Sequence, residues 1–141
     1  MPITQTRGVR NNNPGNIDYN QSNQWQGQIK PDPAIERRFA RFDTPENGIR
    51  ALGKLLLTYQ RKHGLKTVKA IISRWAPSVE NDTAAYVRAV EALTGTRPGA
   101  DVDLSQLKIM AGFVKAIIHH ENAGYAYPDA VLAEGVRRVL A

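Results

Sequence analysis

Glu121 stands where a carboxyl group could act as a general acid. Counting back from it at helical spacing meets Ile117, Phe113 or Val114, Met110 and Leu107, all apolar. A carboxyl group continuing such a stripe points toward low dielectric, which favours its neutral form. A neutral acid near physiological pH is what protonation of a leaving group requires. Asn122-Ala123-Gly124 breaks the helix directly afterwards, so the carboxyl is expected at the lip of a cleft. Last-turn glutamates are also commonly solvated surface groups, so the rest of the chain has to decide between the two.

Other groups able to do chemistry are few. With no cysteine in the chain, disulfides and thiol nucleophiles are excluded. His119 and His120 precede Glu121, but neighbours on a helix point about 100° apart, so the three cannot converge on one ion. His63, the remaining histidine, is distant in sequence, and no metal site is expected. Asp18, Glu36 and Asp43 could each supply a second carboxylate, and Glu36 is an alternative candidate for the acid itself. Tyr86 could hydrogen-bond beside a reacting centre or simply fill a core. Asn11, Asn12, Asn13 and Asn16 could hydrogen-bond a polar ligand, or build turns. Trp25 could offer a flat face to a ligand, whereas Trp75, on an apolar stripe, reads as core.

The elements that must position these groups fall into two textures. The chain has 141 residues, 42% of them hydrophobic, enough for one sizeable core and one expected domain. Residues 1–44 are rich in Asn, Gln, Gly and Pro. Asn13-Pro14-Gly15-Asn16 marks a turn, and a small hairpin region is expected around Trp25-Gln26-Gly27-Gln28 and Arg38-Phe39-Ala40-Arg41-Phe42. Residues 45–141 read as successive helices. Thr44-Pro45 opens the first, with Ile49, Leu52, Leu55, Leu56 and Tyr59 inward and Gly64 at its end. Thr67 caps a shorter one carrying Val68, Ile71, Ile72 and Trp75. Asn81-Asp82-Thr83 starts the next, with Tyr86, Val87, Val90 and Leu93 inward and Gly95 closing it. A helix from Leu104 to Glu121 follows, and Pro128 opens the last, to about Leu140. Five helices and a small β region make a mostly helical α+β fold.

Three stretches carry a resemblance. Ile117-Ile118-His119-His120-Glu121-Asn122-Ala123-Gly124-Tyr125 resembles the catalytic helix end of lytic transglycosylases. Arg10-Asn11-Asn12-Asn13-Pro14-Gly15-Asn16-Ile17, with Trp25-Gln26-Gly27 and Arg38-Phe39-Ala40-Arg41-Phe42, resembles the cleft segment of bacterial cell-wall glucosaminidases. Trp75-Ala76-Pro77 followed by Asn81-Asp82-Thr83-Ala84-Ala85-Tyr86 is similar to the stretch of the same superfamily that delivers an active-site tyrosine. Together they make the chain resemble a small phage virion-associated muralytic protein of the lysozyme-like superfamily. The glutamate comes last here instead of first, which implies a circular permutation.

The resemblance implies a lysozyme-like fold and cleavage of the MurNAc–GlcNAc glycosidic bond of peptidoglycan, with no cofactor. Glu121 and Tyr86 would be the catalytic pair. Asn11, Asn12, Asn13, Asn16, Trp25 and Asn122 would bind substrate. A lytic transglycosylase needs one acid only, because the muramic acid's own 6-hydroxyl attacks. A muramidase would need a second carboxylate about 6.5–9.5 Å away for the inverting route. The expected partners are glycan strands and virion components. No secretion signal is evident, so the expected location is the virion or the host cell wall. The net charge of +6 also suits nucleic acid, and Arg61-Lys62-His63, Lys66 and Lys69 form a basic cluster. A nucleic-acid-binding module, or a structural virion part without activity, is therefore the rival expectation.

Overall fold

A computed structural model of the chain describes residues 5–76 and 82–141. Among them the helices are α1 (Arg7–Arg10), α2 (Pro45–His63), α3 (Val68–Trp75), α4 (Thr83–Thr94), α5 (Leu107–Glu121) and α6 (Asp129–Leu140). Pro77 and Asn81, read above as part of the link between α3 and α4, lie outside the described residues.

The helix ends follow from side-chain chemistry. The hydroxyl of Thr44 accepts the amide of Asn47 at 3.3 Å, and that of Thr67 accepts the amide of Ala70 at 3.1 Å. The carboxylate of Asp82 accepts the amide of Ala85 at 3.1 Å. Each bond satisfies a first-turn donor that has no partner inside its helix. Gly64 and Gly95 close α2 and α4 in the left-handed conformation, at φ 65° and 71°. α5 starts three residues later than its apolar pattern suggests. Asp103 folds its carboxylate onto Ser105, holding residues 103–106 in a turn ahead of the helix.

α2 lies at the centre of the core. Ile49, Leu52 and Leu56 are fully buried, against Ile71 and Ile72 of α3, Tyr86 and Val90 of α4, Met110, Phe113 and Ile117 of α5, and Val136 and Val139 of α6. Burying each such side chain contributes roughly 1.5–3 kcal/mol before entropy is counted. Contact between α2 and α6 is close because Gly53 faces Val139 and Gly135 faces Ile49. A Cβ at either glycine would come within 2.5 Å of the opposing side chain. Leu93 and Leu107, read as inward, are instead exposed in the last turn of α4 and at the start of α5.

The mostly helical expectation holds, and the hairpin does not form as expected. The first 44 residues contribute two isolated antiparallel bridges, Asp18 with Phe39 and Gln28 with Phe42, and no named strand among the described residues. The asparagines explain this. The amide of Asn13 donates to the carbonyls of Ile17 and Ala40, and that of Asn12 donates to the carbonyl of Phe42. Side chains thus take the carbonyls of Ala40 and Phe42, which a longer ladder would use, while the Ile17 carbonyl also accepts the Ala40 amide of the bridge. The segment rests on α2 through a small cluster of Ile17, Ala40, Phe42 and Ala51, flanked by Trp25, Leu55 and Trp75.

Candidate catalytic cleft

The two extremities of the chain meet at Asn122. It is 1% exposed and ends α5 directly after Glu121. Its amide nitrogen donates to the carbonyl of Pro14 at 2.8 Å and to that of Ile118 at 3.0 Å. Its oxygen accepts the hydroxyl of Thr6 at 2.7 Å. One buried side chain therefore joins α5, the asparagine-rich turn and the cap of α1. Asn122→Ala should destabilise the protein by about 2–3 kcal/mol, because the buried Pro14 carbonyl loses its partner. Urea unfolding would show this as a lower midpoint.

That junction places Glu121 on a cleft of about 530 Å³. Gly15, Asn16, Ile17 and Asp18 line it from the asparagine-rich turn, and Asn20 and Asn23 from the turn that follows. Arg38 and Phe39 come from the bridged segment, Leu55 and Tyr59 from α2, and Trp75 from α3. Arg38 donates to the carboxylate of Asp18 at 2.7 Å on the exposed side. Gly15 packs closely on α3, where a Cβ would meet the Trp75 ring at 3.1 Å.

Glu121 itself is half-buried, with a side open to this cleft. Behind it lies Tyr86, 1% exposed and stacked on His120 with ring centroids 4.0 Å apart. Burial pushes the Tyr86 phenol far above its ordinary range, and the charge of nearby Glu121 adds to that. The Trp75 indole N–H opposes the shift slightly, yet neither it nor the phenol closes a hydrogen bond. Tyr86 thus stays protonated at any working pH, with an unused donor close to Glu121.

The three candidate second carboxylates separate clearly. Glu36 is covered, at 3% side-chain exposure, though it lies just under the surface. Arg7 clamps both its oxygens, at 2.7 and 2.6 Å, and Asn11 and the amides of Arg38 and Phe39 donate as well. The Arg7 bonds are the main reason its carboxyl lies far below the usual range, outweighing the opposite pull of burial. A group so held has no proton to give near neutrality, which removes Glu36 as the acid. Asp43 accepts from Asn47 at 2.9 Å and does not line the cleft. Asp18 shares the cleft with Glu121.

Because the Glu36 carboxyl is depressed in the folded state, its stabilisation is complete above the unfolded carboxylate range. It is lost as pH falls through the folded value. Glu36→Gln should therefore cost about 2 kcal/mol at neutral pH, with the gap from the native protein closing in strong acid. Denaturant midpoints across a pH series would measure it.

Of the residues read from sequence as substrate-binding, Asn16 lines the cleft, with φ 50° and a buried side-chain oxygen that has no partner among the described residues. Asn11, Asn13 and Asn122 are buried and spend their amides inside the fold, and Asn12 spends its own on Phe42. These four build the turn instead of facing the groove. Trp25 is half-buried and lines a neighbouring groove. Trp75 and Tyr59, read as core, border the cleft, and Asn20 and Asn23 were not singled out. An amide-rich run between two apolar segments was the available signal for the last two.

His119 and His120 diverge as helical geometry requires. His119 faces the 124–127 segment, while His120 covers Tyr86. The basic cluster near Gly64 shares its surface with Asp101 and Asp103, which offset Arg61 and Lys66. No helix among the described residues is long and apolar enough to cross a membrane.

Comparison with known proteins adds one relationship. Over 91 residues, 63% of this chain, the sequence is 45% identical to "Protein P5" of Pseudoalteromonas phage PM2. This chain has a bacteriophage relative. The match spans 56% of that protein's length, so the chain covers about half of its relative. No protein-family model matches the sequence.

Proposed function

We propose that this chain is a peptidoglycan-cleaving lytic transglycosylase of lysozyme-like character, with Glu121 as its single acid and base. The observation that carries the reading is the position of Glu121. A carboxyl from the end of α5 shares one polar cleft with Asn16, Asn20, Asn23 and Trp75, all supplied by other parts of the chain. Amides and an aromatic edge are the groups that bind N-acetylated sugars.

Glu121 protonates the glycosidic oxygen as positive charge builds on the sugar ring. It then accepts the proton of the muramic acid 6-hydroxyl as that oxygen closes on the anomeric carbon, giving a 1,6-anhydro end. Tyr86, held protonated, donates toward the carboxylate during the ionised stage of the cycle. Saturation of Glu36 by its donors, and the bonding of Asp43 outside the cleft, favour a one-acid mechanism. The bacteriophage relative accords with a phage protein.

One observation supports hydrolysis as the second reading: Asp18 lines the same cleft and could activate water. Digestion of purified murein, with the products weighed, separates these readings. Transglycosylation gives fragments lighter than the hydrolytic ones by one water, and hydrolysis gives reducing ends. Release of no fragment by the folded protein would count against both and favour a structural or nucleic-acid-binding role.

A further inference from the structure

Two buried donors with nothing to bond lie behind the carboxyl of Glu121. Among the described residues, Nε1 of Trp75 and the hydroxyl of Tyr86 are both buried without a hydrogen-bond partner. They come from successive helices, α3 and α4, and the indole N–H acts on the Tyr86 phenol. Leaving one such group unpaired is costly, so two held together call for a reason.

The surroundings fix both rings. The far edge of the Trp75 indole faces Gly15, where a Cβ would meet it at 3.1 Å, and the Tyr59 ring lies 6.5 Å away between centroids. Tyr86 is 1% exposed, under the stacked ring of His120. Stacked in that way, the imidazole nitrogens lie over the phenol ring and not at its hydroxyl. Chemistry then leaves one productive order for the group. An indole N–H only donates, whereas a phenol donates once and also accepts. The Trp75 N–H can therefore serve the Tyr86 oxygen, and the Tyr86 proton goes on to a further acceptor. Glu121 is that acceptor, since its charge reaches the phenol and it lines the same cleft as Trp75. Each bond in such a chain polarises the next, so the first strengthens the second.

We propose that Trp75 is a positioning residue, whose indole N–H donates to the Tyr86 oxygen and so directs the Tyr86 proton onto the carboxylate of Glu121. Both bonds are open in the empty cleft and tighten as the carboxylate takes up its charge. Without the N–H, the hydroxyl turns freely about its C–O bond and the ionised stage loses an aimed donor. The relay deepens the reading of Glu121 as the acid and rests on it for any effect on catalysis.

Nuclear magnetic resonance tests the relay without substrate. Isotope-labelled protein gives one indole N–H signal for each of the two tryptophans, and Trp25, in a separate groove, is the reference. The Trp75 signal should move on Glu121→Gln. That response should disappear in a Tyr86→Phe background, which keeps the ring and removes the hydroxyl. A Trp75 signal indifferent to Glu121→Gln, or a response undiminished by Tyr86→Phe, overturns the relay. Kinetics supply a second arm. Trp75→Phe should lower kcat about fivefold with KM within about twofold of native, and should cost nothing further on top of Tyr86→Phe. Equal losses in the two backgrounds overturn the relay as well. A transmitted response in a protein that releases no murein fragment removes the glycan reading and keeps the relay. Trp75 is intact throughout the spectral arm, so a poorly folded Trp75→Phe protein cannot decide the result.

Discussion

Glu121→Gln is expected to slow murein solubilisation by about two to four orders of magnitude, the usual worth of a positioned acid–base group. The amide keeps the size of the side chain but has no acidic proton to give to the glycosidic oxygen. It also cannot take the proton of the attacking hydroxyl. The change should leave folding almost untouched, because the Glu121 side chain makes no hydrogen bond or ion pair among the described residues and opens onto the cleft. In the kinetics, kcat should fall while KM stays near its original value, since the lost interaction belongs to the transition state. Turbidity clearance of purified walls, with thermal unfolding of the same samples, measures both halves of the expectation. Asp18→Asn completes the comparison: near-native rates mark transglycosylation, and a loss matching that of Glu121→Gln marks hydrolysis.

Gly48→Ala should be among the most damaging single-methyl changes in the chain. Gly48 lies in the first turns of α2, where alanine is ordinarily the better helix former by about 1 kcal/mol. Here a Cβ would sit 1.7 Å from the carbonyl oxygen of Asn12 and 2.8 Å from its carbonyl carbon. Both atoms are backbone, so no rotamer change relieves the overlap. The asparagine-rich turn must lift off α2, which strains the Asn12 bond to Phe42, the Asn13 bonds to Ile17 and Ala40, and the Asn122 tie to Pro14. We expect a net loss of about 3 kcal/mol, from overpacking and several strained buried bonds. Activity should fall even at temperatures where the protein stays folded, because Gly15 and Asn16 line the cleft beside Glu121. Thermal denaturation and wall clearance on one preparation would show the two effects together.

Much of this architecture could be read in advance, for identifiable reasons. Helix starts at Thr44-Pro45, Thr67 and Asp82, and stops at Gly64 and Gly95, are local chemistry within a few residues, and each appears where its signal stands. The inward stripe of α5 from Met110 to Ile117 is a periodic signal and is equally plain. The N-terminal segment was harder. Its alternating apolar residues suggest strands, but asparagine side chains capture some of the backbone acceptors, and that competition shows only once Asn12 is seen reaching Phe42 and Asn13 reaching Ala40.

For the site, a glutamate ending an apolar stripe was sufficient to propose Glu121. Which asparagines face a groove was not legible. Asn11, Asn13 and Asn16 have the same chemistry, and burial of the first two against Glu36 and Ala40 follows from contacts 25 and 27 residues apart in sequence. Trp75 shows the same limit from the other side. Its place on an apolar helix face predicts core, yet that face ends at the rim, and the ring borders the cleft opposite Gly15.

The central claim, that glycan lies against the carboxyl of Glu121 between the asparagine turn and α3, is tested most directly by nuclear magnetic resonance. Isotope-labelled Glu121→Gln protein would be titrated with a murein tetrasaccharide while amide and indole signals are followed. The side-chain amides of Asn16, Asn20 and Asn23 and the indole of Trp75 should shift together and saturate at one sugar concentration. Signals there that stay still at saturation, with shifts gathered instead around Arg61 and Lys66, would contradict the account.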